Sequence, residues 1–275
     1  MSQNLRISII TVNYNNLEGL RKTLQSVFDQ TFQEFEFIVI DGASTDGSKE
    51  YIEKFQRKID YWVSEPDEGI YDAMNKGIDQ ASGKYLSFLN SGDYYVSKDV
   101  LSKFIEAEPK KDIVYGDVLI EVKGAKQIKK MPEVTGFVES LTHTINHQAI
   151  FFRQRLFQNG ARYNCDYRII ADWIFINDAF RRSEVSFQHL DLVVVCYDEN
   201  GVSSNKHLRW EERDEYLQRN FDKNFLNLLT EYNELQRKYK SKESELNDLK
   251  KKILVNKVSR VHDLFGRFKN FLSTK

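Results

Sequence analysis

Four aspartates sit where a chain can do chemistry. Asp93 follows the apolar run of Lys84–Leu89 and a polar turn, Asn90-Ser91-Gly92; Asp41 closes the run Phe35–Ile40. Asp67 lies in the acidic loop Ser64-Glu65-Pro66-Asp67-Glu68-Gly69, and Asp172 sits near the start of a helix predicted over 169–182. In open α/β sheets, ligands bind beyond the carboxyl ends of the strands. Carboxylates there can hold a hard cation against phosphates, accept hydrogen bonds from a base or ribose, or remove a proton from a nucleophile. Spacing alone does not distribute these roles. Asp93 also reads as a solvated turn residue, and Asp172 as an acid complementing a helix dipole.

The elements that position these acids follow from periodicity. Ile7–Val12, Phe35–Ile40, Tyr61–Val63 and Lys84–Leu89 are strand-length apolar runs. Between them, helical spacing recurs over Leu17–Gln30, Ser48–Arg57 and Ile70–Ala81, with Asn15 or Asn16 as a cap and Gly83 as a stop. Strands alternating with helices over short connections predict parallel strands with helical crossovers. The first hundred residues therefore read as a Rossmann-like, nucleotide-binding α/β layer. Beyond Asp93 the pattern becomes mixed. Leu101, Phe104 and Ile105 mark a helix; Asp112–Val122 and Lys126–Lys130 read as a hairpin; His147–Phe152, Ser186–His189 and Leu192–Tyr197 read as further strands. This half builds a mixed central sheet onto the first.

From Leu208 the chain is charged and helical. Phe221, Phe225, Leu228, Tyr232, Leu235, Tyr239, Lys242, Leu246, Leu249 and Ile253 alternate by four and three, a heptad seam with one polar break. A coiled-coil homodimer and a single helix packed on the domain both fit that seam. Residues 253–275 form a basic amphipathic helix, with Phe265, Phe268 and Phe271 on its apolar face and Arg260, Arg267 and Lys269 beside it. That pattern suits a membrane surface or a partner subunit. The expected organisation is an α/β domain over 1–207, a charged coiled-coil helix over 208–252 and the amphipathic helix over 253–275.

Composition bounds the rest. The 275 residues are 41% hydrophobic and 29% charged with a formal net charge of −1, which argues against a general nucleic-acid binder. Two cysteines, Cys165 and Cys196, are too few for a disulfide framework, so a reducing cytoplasm fits. Met1–Leu5 is polar, which leaves no secretory signal pattern, and no stretch is long and apolar enough to span a bilayer. The expected location is cytoplasmic, peripheral on the inner face of the cell membrane. No G-x-G-x-x-G follows the first strand, which excludes a Rossmann dehydrogenase. A sugar nucleotidyltransferase needs a Gly-rich, Arg-containing phosphate loop, and residues 11–17 hold none.

The motifs carry a resemblance. Ile9-Ile10-Thr11-Val12-Asn13-Tyr14-Asn15, Ser26–Phe32, Val39-Ile40-Asp41-Gly42-Ala43-Ser44-Thr45-Asp46-Gly47 and Phe88-Leu89-Asn90-Ser91-Gly92-Asp93 resemble family 2 glycosyltransferases of the GT-A fold. Glu65-Pro66-Asp67-Glu68-Gly69-Ile70-Tyr71-Asp72-Ala73-Met74-Asn75-Lys76-Gly77 is similar to the branch that builds bacterial exopolysaccharide, of the colanic-acid type. The resemblance implies an inverting hexosyltransferase. It would move sugar from a nucleotide-sugar donor, a UDP-sugar first, to a glycan or polyprenyl-diphosphate-linked acceptor, with Mg²⁺ or Mn²⁺. It gives Thr11, Tyr14 and Asp41 to the base and ribose, with Asp67, Asn75 and Ser91 also on the donor side. Asp93 becomes the metal ligand and Asp172 the general base. Apart from the resemblance, His147, which opens a strand, is placed on the acceptor side. The sequence departs from the family at three points. Asn90 and Gly92 stand where acids are usual, Ala171 replaces the first acid of a Glu-Asp pair, and Met74 replaces a common Arg. Those departures keep a second reading open, a catalytically inactive assembly protein acting through its coiled coil.

Overall fold

A computed structural model describes residues 7–122, 125–134, 136–197 and 205–273, with the backbone alone from 251 onward. It separates into two compact units, Met1–Glu215 and Tyr216–Lys275. The first is a sheet of nine strands, counted among the described residues, with helices packed against it.

Its centre is β1 (Ile7–Asn13), in which every residue is buried. A strand buried on both faces needs helices on both sides, and its unbroken apolar run reflects this. Around it lie β2 (Phe35–Asp41), β3 (Tyr61–Ser64) and β4 (Tyr85–Phe88), all parallel, in the order β3-β2-β1-β4. The crossovers are α1 (Leu17–Phe28), α2 (Ser48–Phe55) and α3 (Ile70–Gln80). Asn16 caps α1, its side chain accepting from the Gly19 N–H at 3.1 Å. Close packing of α3 on the sheet depends on Gly77, where a Cβ would come 2.4 Å from Ile10 Cγ2.

At β4 the sheet changes direction. Its other neighbour is antiparallel: β8 (Ile150–Arg153), with Leu86 opposite Phe152. The sheet continues through β6 (Ile113–Val122) and β9 (Phe187–Tyr197) to the short β5 (Tyr94–Tyr95), and β7 (Ala125–Lys129) makes a hairpin with β6. Three short helices complete the unit: α4 (Val100–Glu106), α5 (Phe137–Thr142) and α6 (Ala171–Phe180). α7 (Lys206–Asn220) follows and crosses the boundary between the units.

Two expected elements differ in detail. Residues 147–149 form a single 3₁₀ turn rather than the start of a strand, closed by the Ala149 N–H on the Asn146 carbonyl at 3.0 Å. The two late strands are one continuous strand, β9, whose pairing with β6 shifts register between Tyr115 and Val118. The shift absorbs the irregular middle residues that look like a break in the sequence.

An aromatic cluster joins β4, β8 and α6. Phe88 meets Phe152 edge-on at 6.0 Å and Tyr163 at 5.5 Å; Phe157 stacks on Phe175 of α6 at 4.9 Å. Such pairs contribute about 0.5–1.5 kcal/mol each beyond their buried area. They fix α6 over the line where the sheet reverses.

The second unit contains α8 (Lys223–Ser273), one uninterrupted helix, which begins after a break at Phe221–Asp222. Asp222 accepts from the Asn224 and Phe225 N–H groups at 2.8 and 3.0 Å and caps it. Along the heptad seam Leu228, Leu235, Tyr239, Leu246 and Leu249 are each more than half exposed. The apolar and basic faces expected over 253–275 involve side chains outside the described residues. No described helix is long and apolar enough to cross a membrane.

Candidate active site

The cleft lies at the carboxyl ends of β1, β2 and β4, as the strand-end acids imply. It is a cavity of about 1000 Å³. Of the expected site residues, it is lined by Tyr14, Asp67, Ser91, Asp93, His147 and Asp172. Residues 93 and 172, distant in sequence, thus share one cavity.

Asp93 sits in a turn held from behind. The Thr23 hydroxyl of α1 donates to the Asp93 carbonyl at 2.7 Å and accepts from the Gly92 N–H at 3.0 Å, and the Ser91 N–H donates to the Val12 carbonyl at 3.0 Å. Two buried oxygens beside Asp93, Asn90 Oδ1 and Ser91 Oγ, have no hydrogen-bond partner. A carboxylate flanked by free amide and hydroxyl oxygens is a hard-donor set. It fits a divalent cation that completes its shell with phosphate oxygens and water. Among the described residues no group of three or more His, Cys, Asp or Glu side chains could hold a metal alone.

Asp172 opens α6. Tyr71, in the first turn of α3, donates its hydroxyl to Oδ1 at 2.8 Å, and His147 Nδ1 stands 2.9 Å from Oδ2. The other face of the imidazole meets Asn90, with Nε2 3.2 Å from Nδ2. His147 therefore bridges the turn carrying Asp93 and the helix carrying Asp172. Burial pushes the Asp172 carboxyl up, but the hydrogen bond and charge of His147 and the Tyr71 hydroxyl outweigh it and leave it below its ordinary value. Burial likewise disfavours the His147 cation, yet the hydrogen bond and charge of Asp172, helped by the charge of Asp93, raise it above its usual value. Tyr71 is pushed well above 10 by burial and by Asp172, so it stays a phenol and a donor.

One end of the cleft is formed by Tyr14, Gly42 and Asp67. Tyr14 is 68% exposed at the lip. A Cβ on Gly42 would lie 2.5 Å from Asp67 Oδ2 and 3.2 Å from Tyr14 Cδ2, so only glycine leaves both side chains in place. Burial, partly offset by the Gly69 N–H, raises the Asp67 carboxyl above its ordinary value.

The structure does not bring Thr11, Asp41 or Asn75 to the cleft wall. Thr11 is wholly buried in β1. Asp41 is wholly buried too, accepting from Asn13 Nδ2, Ser44 Oγ and Ser64 Oγ at 2.7, 2.6 and 2.6 Å and from the Ser44 N–H. Its carboxylate organises the strand ends under the cleft. Asn75 exchanges two hydrogen bonds with the backbone of Tyr163, both 2.9 Å, tying α3 to the loop before α6. Of the other histidines, His143 turns back on Glu139 and Thr142, and His207 pairs with Glu211 on a solvent face. Tyr71 escaped the sequence reading. Its signal is a tyrosine on the buried face of α3, where a phenol needs a polar partner.

The model of the family described as "Glycosyl transferase family 2" matches residues 8–183. The chain belongs to that family. This family 2 glycosyltransferase is 33% identical over 209 residues to a PGL/p-HBAD biosynthesis glycosyltransferase of Mycobacterium bovis, covering 72% of this chain and 78% of the relative. It is 35% identical over 206 residues to the uncharacterized glycosyltransferase Rv1514c of Mycobacterium tuberculosis, covering 73% and 78%. Among solved structures it resembles TarS 1-349 of S. aureus in complex with UDP-GlcNAc, with a TM-score of 0.64 at 20% identity over 82% of this chain and 70% of that one. A mannosyltransferase of Pyrobaculum calidifontis, in complex with GDP-Man and Mn2+, matches with a TM-score of 0.55 at 15% identity over 76% and 60%. At these identities the likeness is one of fold. The family 2 transferase therefore has the GT-A architecture.

Proposed function

We propose that this family 2 enzyme is an inverting, metal-dependent hexosyltransferase. It moves a sugar from a nucleoside-diphosphate sugar to a hydroxyl of a glycan or lipid-linked acceptor in surface polysaccharide synthesis. The observation that carries the reading is the shared cavity of Asp93 and Asp172, linked by His147 and Asn90.

Tyr14 and Asp67 receive the nucleotide, with Ser91 along the donor. Thr11, Asp41 and Asn75 support the donor side from beneath. Asp93, with Asn90 Oδ1 and Ser91 Oγ, would hold Mg²⁺ or Mn²⁺, which when bound neutralises charge on the departing diphosphate. Asp172 takes the proton of the acceptor hydroxyl as that oxygen attacks the anomeric carbon from the face opposite the diphosphate. Tyr71 and His147 hold both carboxylate oxygens and keep the base ionised across the neutral range. One displacement inverts the centre through an oxocarbenium-like transition state, so no second nucleophilic carboxylate is required. The UDP-GlcNAc and GDP-Man complexes of the structural relatives support a nucleotide-sugar donor, with UDP first. The exposed seam of α8 supports pairing with a second copy. The basic, aromatic tail supports attachment to the inner membrane surface.

The test is release of nucleoside diphosphate from a panel of nucleotide sugars, with and without EDTA. The wild type should turn over one donor only with metal present. Asp93→Ala should lose activity and its metal dependence, and Asp172→Asn should bind donor without transferring. Absence of metal-dependent turnover across the panel would favour the assembly-protein reading, and pyrophosphate release would favour a nucleotidyltransferase.

A further inference from the structure

α7 begins as a run of charges that reads as a solvated face, yet two adjacent residues on it are spent on the base-bearing helix. The Glu212 carboxylate is buried and takes both N–H groups just before α6: Arg168 N–H to Oε1 at 2.7 Å and Ile169 N–H to Oε2 at 2.9 Å. These two donors have no helical acceptor, and Ile170, the cap residue, supplies no side-chain hydrogen bond. Both donors precede that cap, so Glu212 ties the chain entering α6 to a distant helix. Arg213 lies over the ring of Trp173, 4.5 Å from its centroid, and donates through Nη2 to Thr144 Oγ1 at 2.7 Å. Trp173 is the residue after Asp172. Burial brings the Arg213 guanidinium down to about 10, the mark of a cation drawn into the fold.

We propose that Glu212 and Arg213 are positioning residues: together they lock the entry to α6, and so set the aim of Asp172 at the acceptor hydroxyl. The same clamp holds Arg168 and Ile169, which line the cleft beside Asp172. Phe175 and Asn177 hold α6 further along its length, whereas its first turn, which carries Asp172, is entered through the residues that Glu212 holds. A base displaced by about 1 Å from a near-attack geometry loses on the order of 100-fold in rate. The inference rests on Asp172 as the base, but the clamp itself is open to measurement without turnover.

The experiment compares wild type, Glu212→Ala, Glu212→Gln and Arg213→Lys in two assays. The first is hydrogen exchange of the peptide spanning 168–174. Glu212→Ala should exchange there at least tenfold faster, Glu212→Gln should fall between, and the strands β1 and β4 should not change. The second is transfer kinetics with the preferred donor. Glu212→Ala should lose about 10- to 100-fold in kcat with donor Kd within twofold, and Gln, which keeps one acceptor oxygen, should recover part of it. Arg213→Lys, which keeps the charge but loses the planar stack, should lose about 3- to 10-fold in kcat. Unchanged exchange at 168–174 in Glu212→Ala overturns the clamp. Faster exchange with unchanged kcat overturns the positioning role. If Glu212→Ala does not fold, Arg213→Lys carries the test, and unchanged exchange and kcat in that variant overturn the proposal. A wild type without transfer, whose exchange still responds to Glu212→Ala, leaves the clamp standing and removes only the assigned chemistry.

Discussion

Replacing Tyr71 by Phe should move the acid limb of the pH–rate profile upward. The hydroxyl donates to Asp172 Oδ1 at 2.8 Å, deep in the cleft wall. A hydrogen bond to a charged group in such a setting contributes about 1.5–3 kcal/mol. Its loss raises the carboxyl from its lowered value. The sign follows from which form the hydroxyl favours: it stabilises the ionised acid, so removing it makes protonation easier. The ring should stay in place, since Tyr71 also packs on Tyr163 at 5.6 Å. At pH 7.5 the base remains ionised in both proteins, and kcat should agree within about threefold. On the acid side the variant should lose activity at a higher pH than the wild type. The assay is kcat with saturating donor and acceptor from pH 4 to 8.5, alongside thermal unfolding. Because the folded carboxyl lies below its unfolded value, its contribution to stability is present above about pH 4 and lost as pH falls through the folded pKa. The stability difference between the proteins should therefore vanish in acid. Superimposable acid limbs would refute the assignment of Asp172 as the titrating base.

Three further outcomes follow from the same geometry. His147→Asn should lower Tm most below about pH 6 and progressively less as pH rises through the raised folded pKa, because a raised imidazolium stabilises fully below its unfolded pKa and loses that contribution through the folded one. Differential scanning calorimetry across that range reads it, and a pH-independent difference would contradict it. Gly42→Ala should raise the donor KM about tenfold with kcat nearly intact, since the new methyl displaces Asp67 and Tyr14 without touching Asp172. Lys242→Leu should tighten self-association about tenfold in sedimentation equilibrium, and a chain ending at 222 should be monomeric.

Much of the N-terminal half was legible. The strand-end acids stood out because the residues before them are apolar runs of strand length, and β1 to β4 lie where that pattern puts them. The limits have physical causes. Asp41 carries the same strand-end signature as Asp93, but its partners, Asn13, Ser44 and Ser64, lie on three separate segments, so only the folded chain shows that it is already satisfied. His147 precedes an apolar run and reads as its first residue, whereas local hydrogen bonding makes it a turn. Glu212 was hidden for another reason: its partners are backbone N–H groups, which leave no trace in residue identity. A charged helix expected to pair or pack through its apolar seam therefore gave no sign of a hold on α6 through its carboxylate.

The reversal of strand direction between β4 and β8 has an evolutionary corollary. Antiparallel neighbours expose opposite termini at one edge, so the exit of β4 and the approach to β8 come side by side although 57 positions separate Asn90 from His147. Whatever lies between them forms an excursion anchored at both ends. Most of that excursion is fixed, since it carries Asp93 and the mid-sheet strand β6, and its exposed outer strand β7 is the part open to rebuilding.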